Sequence, residues 1–221
     1  MKENFTDITV LLDKSGSMVN MKSEVISGFN SFLKRQKETS GEAVITLIEF
    51  DKCDIHNAFN GTVYTAKPIN EAPILNKELY VPCGMTPLRD ALGMAIKNTG
   101  DRLSSMDEKD RPSKVIFMII TDGYENASSE YSQIQVKEMT EHQTNVYNWD
   151  FIFLGANIDS FAQGNLVGIK TVTIADFSSN NVVKAFNMTS DKVSNYRISG
   201  QKSDLAYTNN ERKSLINNDK R

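Results

Sequence analysis

Three oxygen-bearing side chains follow the first apolar segment of the chain. Asp13, Ser15 and Ser17 occupy alternate positions after a segment whose composition predicts a buried strand. In α/β proteins, ligands bind beyond the carboxyl ends of the strands. With Gly16 allowing a tight turn, a carboxylate and two hydroxyls can converge on one point, and Mg²⁺ prefers such oxygen ligands. Because Asp and Ser also cap helices, a helix N-terminus explains this segment alone equally well.

Two later segments add oxygen donors at comparable places. Thr86 precedes Pro87 at the predicted start of a helix, where the missing N–H of proline costs nothing. Asp122 and Gly123 follow the apolar segment 115–120, which is typical of another buried strand. Parallel strands place these segments at one edge of a sheet. The three groups of donors are therefore expected to face a common point.

This combination resembles the metal-ion-dependent adhesion site (MIDAS) of the von Willebrand factor type A (VWA) family, which includes the integrin inserted domain. The corresponding positions are Asp13, Ser15 and Ser17 for the first motif, Thr86 for the single threonine, and Asp122 followed by Gly123 for the last aspartate. The resemblance covers roughly residues 5 to 195. It is closest to stand-alone intracellular members from bacteria or phages.

The resemblance implies a bound Mg²⁺ or Mn²⁺ and a protein partner. In the family, the hydroxyls bind the ion directly and the aspartates often act through water. Because hydroxyls are neutral, the ion keeps enough charge to accept an Asp or Glu side chain from a partner. The implied function is a cytosolic adaptor in a bacterial or phage stress, defence or AAA+ ATPase-linked system.

Several neighbours of these residues are candidates for support or for the rim of the site. Asp90 is expected either to hydrogen-bond a liganding hydroxyl or to be a first-turn carboxylate favoured by the helix dipole. Lys14 is expected to point outward, towards the partner. Gly123, Glu125 and Asn126 are candidate rim residues, and for Glu125 and Asn126 simple solvent exposure is an equal alternative. Cys83 and Met85 are expected to pack beneath the threonine.

A magnesium-dependent phosphohydrolase that uses Asp13 is the main alternative function. Such enzymes need a second aspartate two residues after the first, and Ser15 occupies that position. No G-x-x-x-x-G-K-[ST] phosphate loop is present. His56 and His142 are isolated and favour no serine-type catalysis. We therefore expect that the protein is not an enzyme.

Length and composition fit one ordinary globular domain. The chain has 221 residues, 24% charged and 39% hydrophobic, with a net charge of −3. No basic patch indicates nucleic-acid binding, no segment is apolar enough to span a membrane, and the first residues do not resemble a secretion signal. A cytoplasmic location is expected. Cys53 and Cys83 fit neither a zinc site nor a disulfide framework, so free thiols are expected.

Apolar periodicity predicts an α/β fold with a doubly wound, mostly parallel sheet and helices on both faces. Asn60-Gly61 predicts a hairpin between segments 55–59 and 62–66, which would form an antiparallel edge. Further strands are expected over 146–154 and, as the last one, over 170–174. Residues 1–196 are predicted to form the VWA domain. Residues 197–221 contain few apolar side chains and are predicted to be a flexible tail.

Overall fold

One six-stranded sheet forms the centre of the protein. The computed structural model describes residues 1–53 and 61–217. In this part of the chain the strands are β1 (Lys2–Asp13), β2 (Glu42–Phe50), β3 (Thr62–Pro68), β4 (Pro112–Thr121), β5 (Asp150–Ala156) and β6 (Ile174–Phe177). Their order across the sheet is β3-β2-β1-β4-β5-β6. Every neighbouring pair is parallel except β2 and β3, which confirms the predicted α/β fold with an antiparallel edge.

Helices cover both faces of the sheet, because the central strands are apolar on both sides. The helices are α1 (Lys22–Glu38), α2 (Leu88–Ser104), α3 (Gln133–Val146), α4 (Ser160–Leu166), α5 (Val182–Ser199) and α6 (Asn209–Ile216). Val10 and Leu12 of β1 pack with α1 and α5, whereas Leu11 packs with α2 and α3. A Cβ atom on Gly28 would lie 2.4 Å from the Phe186 ring, so glycine allows α1 and α5 to approach closely.

The edge strand β3 pairs directly with β2. Its register places Val44 opposite Pro68 and Leu47 opposite Tyr64. The segment 62–66 is therefore a strand at the predicted antiparallel edge. The other half of the predicted hairpin, 55–59, lies outside the described residues.

Two predicted strand boundaries are wrong, and local turns explain both. Strand β5 begins at Asp150, after Asn148 takes a left-handed backbone conformation and the Trp149 N–H donates to the end of α3. The predicted last strand at 170–174 is mostly a short helical turn, Thr171–Thr173. The Thr173 hydroxyl donates to the carbonyls of Lys170 and Phe151, which closes this turn just before β6.

The prediction of a flexible tail over 197–221 is wrong for 197–217, the part of it that the structure describes. Leu205, Tyr207 and Leu215 are buried in the main core although few apolar residues surround them in the sequence. The Tyr207 N–H donates to the Val172 carbonyl at 2.8 Å, and the Leu215 carbonyl accepts from the Ser178 N–H at 3.0 Å. Long-range contacts therefore order this segment, and the domain extends beyond residue 196.

Candidate metal centre

Asp13 ends β1 and is completely buried at the carboxyl edge of the sheet. Its Oδ1 accepts a hydrogen bond from the Ser15 N–H at 2.7 Å, and its Oδ2 accepts one from the Thr121 hydroxyl at 2.5 Å. Burial raises the pKa of Asp13 to about 6, against these hydrogen bonds, and the charge of Asp122 adds to the rise. The ionised carboxylate is therefore incompletely compensated, and a nearby cation would stabilise it.

The two serines lie on the turn that follows Asp13. Ser15 precedes the 3₁₀ helix Gly16–Met21, and its Oγ is 3.2 Å from the Oγ of Ser17. The Ser17 hydroxyl donates to Oδ1 of Asp122 at 2.5 Å, across a separation of 105 residues. Burial raises the pKa of Asp122, while the hydrogen bond from Ser17 acts in the opposite direction. The first and last predicted motifs are therefore in direct contact.

The loop that carries Thr86 is held against the same edge. The Gly16 N–H donates to the Gly84 carbonyl at 2.9 Å, which joins the serine turn to this loop. A Cβ atom on Gly123 would lie only 2.7 Å from Oγ1 of Thr86, so the threonine hydroxyl sits directly beside the residue that follows Asp122. The structure thus brings together all five residues that the sequence predicted as ligands: Asp13, Ser15, Ser17, Thr86 and Asp122. We call this set the oxygen cluster.

The chemistry of the oxygen cluster fits a hard divalent cation. All five donors are oxygen atoms, and two of them are carboxylates that can balance a charge of two. Adjacent ligands of an octahedral Mg²⁺ with bonds of about 2.1 Å lie about 3 Å apart, close to the 3.2 Å between the serine hydroxyls. Within residues 1–53 and 61–217, no three His, Cys, Asp or Glu side chains cluster as a metal site. Any site here depends on the hydroxyls.

Asp90 does not support the oxygen cluster in the predicted way. It lies in the first turn of α2, as one alternative expected, but both carboxylate oxygens accept backbone N–H groups. The donors are Ser129 at 2.8 Å, Glu130 at 3.0 Å and Tyr131 at 2.8 Å. Asp90 therefore fixes the loop that leads into α3, and its oxygens do not accept from a hydroxyl of the oxygen cluster.

Glu125 acts in a similar way on the same loop. Its carboxylate accepts the N–H groups of Arg89, Ala127 and Ser128, each within 2.8–2.9 Å. The Ser128 hydroxyl donates to it as well, at 2.7 Å. Desolvation would raise the pKa of Glu125, but these hydrogen bonds outweigh it and hold the pKa below its ordinary value. We call Asp90 and Glu125 the acid brace.

Asn126 positions the threonine through its backbone. Its side-chain oxygen accepts the Thr86 N–H at 2.8 Å, and its own N–H donates to the Thr86 carbonyl at 3.2 Å. The acid brace and Asn126 therefore hold the Thr86 loop and the Asp122 loop together. The side chain of Asn126 is exposed, in keeping with a rim position.

Lys14 does not point outward as predicted. Its Nζ lies 3.3 Å from Oε2 of Glu49, and only 18% of the lysine side chain is exposed. The pairing of β1 with β2 places Asp13 opposite Phe50 and thereby brings Lys14 next to Glu49. Burial raises the pKa of Glu49, and the charge of Lys14 opposes that rise. Lys14 therefore pairs with a buried acid of the neighbouring strand.

Two residues that hold Asp13 were not singled out from the sequence. Thr121 directly precedes Asp122 at the end of β4, and this position was a usable signal. Tyr80 is completely buried, and its hydroxyl donates to the Asp13 carbonyl at 2.5 Å. No local pattern marks Tyr80, because it lies in an irregular segment and its partner Asp13 is 67 positions away.

The prediction of free thiols is wrong: Cys53 and Cys83 form a disulfide with a Cα–Cα distance of 5.6 Å. Cys53 follows β2 and Cys83 begins the Thr86 loop, so adjacency in the fold brings together residues 30 positions apart. Met85, expected to pack beneath the threonine, is 46% exposed. His142 lies on α3 against the ring of Tyr147, away from this edge, and His56 lies outside the described residues.

Large apolar side chains are exposed beside the oxygen cluster. Each one follows or precedes a site residue closely: Val19 after Ser17, Met85 before Thr86, Tyr124 after Asp122, and Leu79 and Val81 on either side of buried Tyr80. All five are about half exposed. We call them the apolar rim. Exposed apolar side chains close in the chain to the site residues make this edge a candidate binding surface.

No helix among the described residues combines the length and the apolar character that a bilayer crossing requires. No family model matches the chain, and the search of curated proteins found no match.

Solved structures show which fold this is. The VWA protein from Catenulispora acidiphila matches with a TM-score of 0.55 at 12% identity, over 87% of this chain and 43% of that one. The mussel byssus protein PTMP1, with a zinc-occupied MIDAS motif, matches with a TM-score of 0.54 at 15% identity, over 86% and 48%. Manganese-loaded TRAP from Plasmodium vivax gives 0.50 at 18% identity, over 94% and 76%. The chain has a VWA-like fold, and it spans less than half of the first two structures.

Proposed function

We propose that this chain is a metal-dependent protein-binding domain whose oxygen cluster holds Mg²⁺ or Mn²⁺. The observation that carries the proposal is the convergence of five oxygen donors around a buried, incompletely compensated Asp13. The likeness in fold to structures described with a zinc-occupied MIDAS and with manganese supports it. A bound cation would supply a coordination position for an Asp or Glu side chain of the partner.

The residues of the site would divide the work as follows. Ser15, Ser17 and Thr86 would offer neutral oxygens to the ion, and Asp13 and Asp122 would balance its charge. The acid brace and Asn126 would keep the Thr86 loop in register with the Asp122 loop. Because three of the five donors are neutral, the ion would retain attraction for a further carboxylate.

The apolar rim favours a protein partner over a small anion. Val19, Leu79, Val81, Met85 and Tyr124 would add nothing to the binding of phosphate or acetate, but they would bury apolar surface against a peptide. The preferred ligand is therefore a carboxylate side chain flanked by large apolar residues.

We propose a non-catalytic role. Both carboxylate oxygens of Asp13 are hydrogen-bonded and the residue is fully buried, which favours neither nucleophilic attack nor general-base chemistry on a substrate. Phosphatase and nucleotidase assays with Mg²⁺ test this point. Turnover that disappears in Asp13→Asn would support the phosphohydrolase alternative instead.

The proposed setting is a cytoplasmic adaptor of bacterial or phage origin that works in a stress, defence or AAA+ ATPase-linked system. The support for this setting is the resemblance of the site motifs to those of stand-alone members of the VWA family. Affinity capture from candidate hosts, with and without chelator, would identify the partner.

Calorimetric titration with Mg²⁺ and Mn²⁺ tests the metal site. Wild type is expected to bind one ion, and Asp13→Ala is expected to bind none. Asp101→Ala, which removes an exposed acid that pairs with Lys97 on α2, is the matched control and should bind as wild type. Equal binding by wild type and Asp13→Ala would contradict the proposal.

Fluorescent peptides test the partner chemistry. A peptide with Glu between two leucines should bind in Mg²⁺ and be released by chelator, and the same peptide with Gln in place of Glu should not bind. Replacing Leu79 and Val81 by Ser should weaken peptide binding and leave Mg²⁺ binding unchanged. Peptide binding that is indifferent to chelator would contradict a metal-dependent mode.

A further inference from the structure

The disulfide lies at the one loop on which the oxygen cluster depends for its threonine. Cys83 is three residues before Thr86, and its partner Cys53 follows the end of β2. The bond therefore anchors the Thr86 loop covalently to the sheet. Cys53 is 8% exposed, whereas Cys83 is only half-buried, so the loop side of the bond is the more accessible to solvent.

Backbone contacts connect the same loop to the other parts of the site. The Cys83 N–H donates to the Lys14 carbonyl at 2.7 Å, and Lys52 and Met85 exchange two hydrogen bonds of 3.0 and 3.1 Å. A Cβ atom on Gly84 would lie 2.2 Å from the Lys52 carbonyl oxygen, so the loop lies directly against the chain that carries Cys53. A change in the restraint at Cys83 is therefore transmitted to Gly84 and Thr86 through a few close contacts.

We propose that the Cys53–Cys83 disulfide is a redox latch that sets the metal affinity of the oxygen cluster. This inference rests on the proposed function. When the bond is closed, the Thr86 hydroxyl is held in place beside Gly123 before the ion arrives. When the bond is open, the loop samples more conformations, and metal binding must order it.

The chemical step is an ordinary thiol–disulfide exchange. A thiolate of a cellular or added dithiol attacks the sulfur of Cys83, the less buried of the two residues, and releases the Cys53 thiolate, which takes up a proton. The second thiol of the reductant then displaces the Cys83 sulfur, which also takes up a proton. Two electrons pass from the dithiol to the protein, and the reductant leaves as a disulfide.

Linkage makes the latch measurable in both directions. If the oxidised protein binds Mg²⁺ more tightly by some factor, then saturating Mg²⁺ must shift the disulfide equilibrium towards the oxidised form by the same factor. Mg²⁺ is a suitable probe because it has little affinity for thiols. The chain has only two cysteines, so alkylation and mass measurement report this one bond directly.

The experiment compares Mg²⁺ affinity in two redox states of the same protein. Wild type is reduced with dithiothreitol, and the reductant is then removed under anaerobic conditions. Calorimetry should show that the oxidised protein binds Mg²⁺ about fivefold or more tightly than this reduced protein. In a glutathione buffer, saturating Mg²⁺ should raise the ratio of disulfide to dithiol by the same factor, and Asp13→Ala should show no shift. The Cys53→Ser/Cys83→Ser double variant should bind as the reduced protein does.

The outcomes separate the latch from the proposed function. Equal affinity in both redox states overturns the latch and leaves the metal site standing. Absence of Mg²⁺ binding in both states overturns the proposed function as well. Reduced protein without a folded far-UV spectrum overturns the latch as a local device, because the bond would then act on the whole domain.

Discussion

The oxygen cluster and the acid brace are joined through the Thr86 and Asp122 loops, yet the balance of desolvation and hydrogen bonding differs between their carboxylates. In the acid brace, Glu125 receives three backbone N–H groups and a hydroxyl, and these hold its pKa below the ordinary value although desolvation would raise it. In the oxygen cluster, the Ser15 N–H, the Ser15 side chain and the Thr121 hydroxyl all act to lower the pKa of Asp13, but burial outweighs them and raises it to about 6. Hydrogen bonds thus outweigh desolvation at Glu125 but not at Asp13, and this difference is why we propose a cation beside Asp13 alone.

The same contrast holds for Asp90 against Asp122. Asp90 receives three N–H groups from one loop, so its charge is balanced within the fold. Asp122 receives the hydroxyl of Ser17, itself a candidate ligand, and burial raises its pKa. The distinction yields separate expectations for stability and for metal binding.

The largest effect on stability is expected for Asp90→Ala. This change leaves three N–H groups of the 129–131 loop without their acceptor, and we expect the free energy of unfolding to fall by about 3 kcal/mol. Urea unfolding in the presence of chelator measures it. Asp101→Ala on the same helix is the control and should change stability little. A similarly small change for Asp90→Ala would remove the structural role of the acid brace.

In the presence of chelator, Asp13→Asn is expected to raise the free energy of unfolding, whereas Asp90→Ala lowers it. The asparagine oxygen can accept the Ser15 N–H and its amide can donate to Thr121, so the hydrogen bonds survive without the buried charge. A pKa raised from 3.8 to about 6 corresponds to a gain of about 1–3 kcal/mol at pH 7 when the charge is removed. Wild type should gain stability on adding Mg²⁺, and Asp13→Asn should not.

A clear loss of stability for Asp13→Asn in chelator would contradict this comparison. Asp13 would then be a structural residue like Asp90. A loss of metal binding in the Asp13 variants could then not be assigned to the loss of a metal ligand. The unfolding of Asp90→Ala and of Asp13→Asn should therefore be measured in one series, with and without Mg²⁺.

The sequence predicted the fold and the meeting of the five oxygen donors from local patterns, and the role of those donors as metal ligands stays a prediction. Continuous apolar segments mark the parallel strands, and the oxygen donors follow directly after β1 and β4. The residues whose contacts were predicted wrongly depend on pairings between distant segments. Lys14 turns to Glu49 because of the register of β1 and β2, and Asp90 finds its donors about 40 positions away. Nothing in the neighbouring sequence specifies such partners.

The predictions for the C-terminal segment and for the two cysteines were wrong for the same reason. Leu205 and Leu215 are isolated apolar residues, and their burial depends on contacts with α5 and the sheet edge that composition does not report. Cys53 and Cys83 are 30 positions apart and meet only because the Thr86 loop returns to the end of β2. Composition indicates whether a segment can form a hydrophobic core by itself. These segments instead pack against a core that other elements of the fold form.

The most direct test of the contrast is the pH dependence of stability in chelator, which is the smallest effect when it is expressed per pH unit. Because the folded-state pKa of Asp13 is raised, its stabilising contribution is fully present below pH 3.8 and is lost as the pH rises through about 6. Glu125 has the opposite sign: its pKa is lowered, so its contribution is present above its ordinary value and is lost as the pH falls through the folded-state value. Between the ordinary pKa of a glutamate, 4.5, and about pH 6, the change of stability with pH should come from Asp13 rather than from Glu125.

The difference in unfolding free energy between wild type and Asp13→Asn isolates this contribution, because groups such as Asp7 and Glu49, whose pKa values burial also raises, are common to both proteins. That difference should move against wild type by at most about 1.4 kcal/mol per pH unit between pH 4 and 6, and then level off. The corresponding difference for Glu125→Gln should favour wild type at neutral pH and shrink in acid. If both curves sloped the same way, the two carboxylates would be balanced alike, and the reason for assigning a cation to only one of them would be lost.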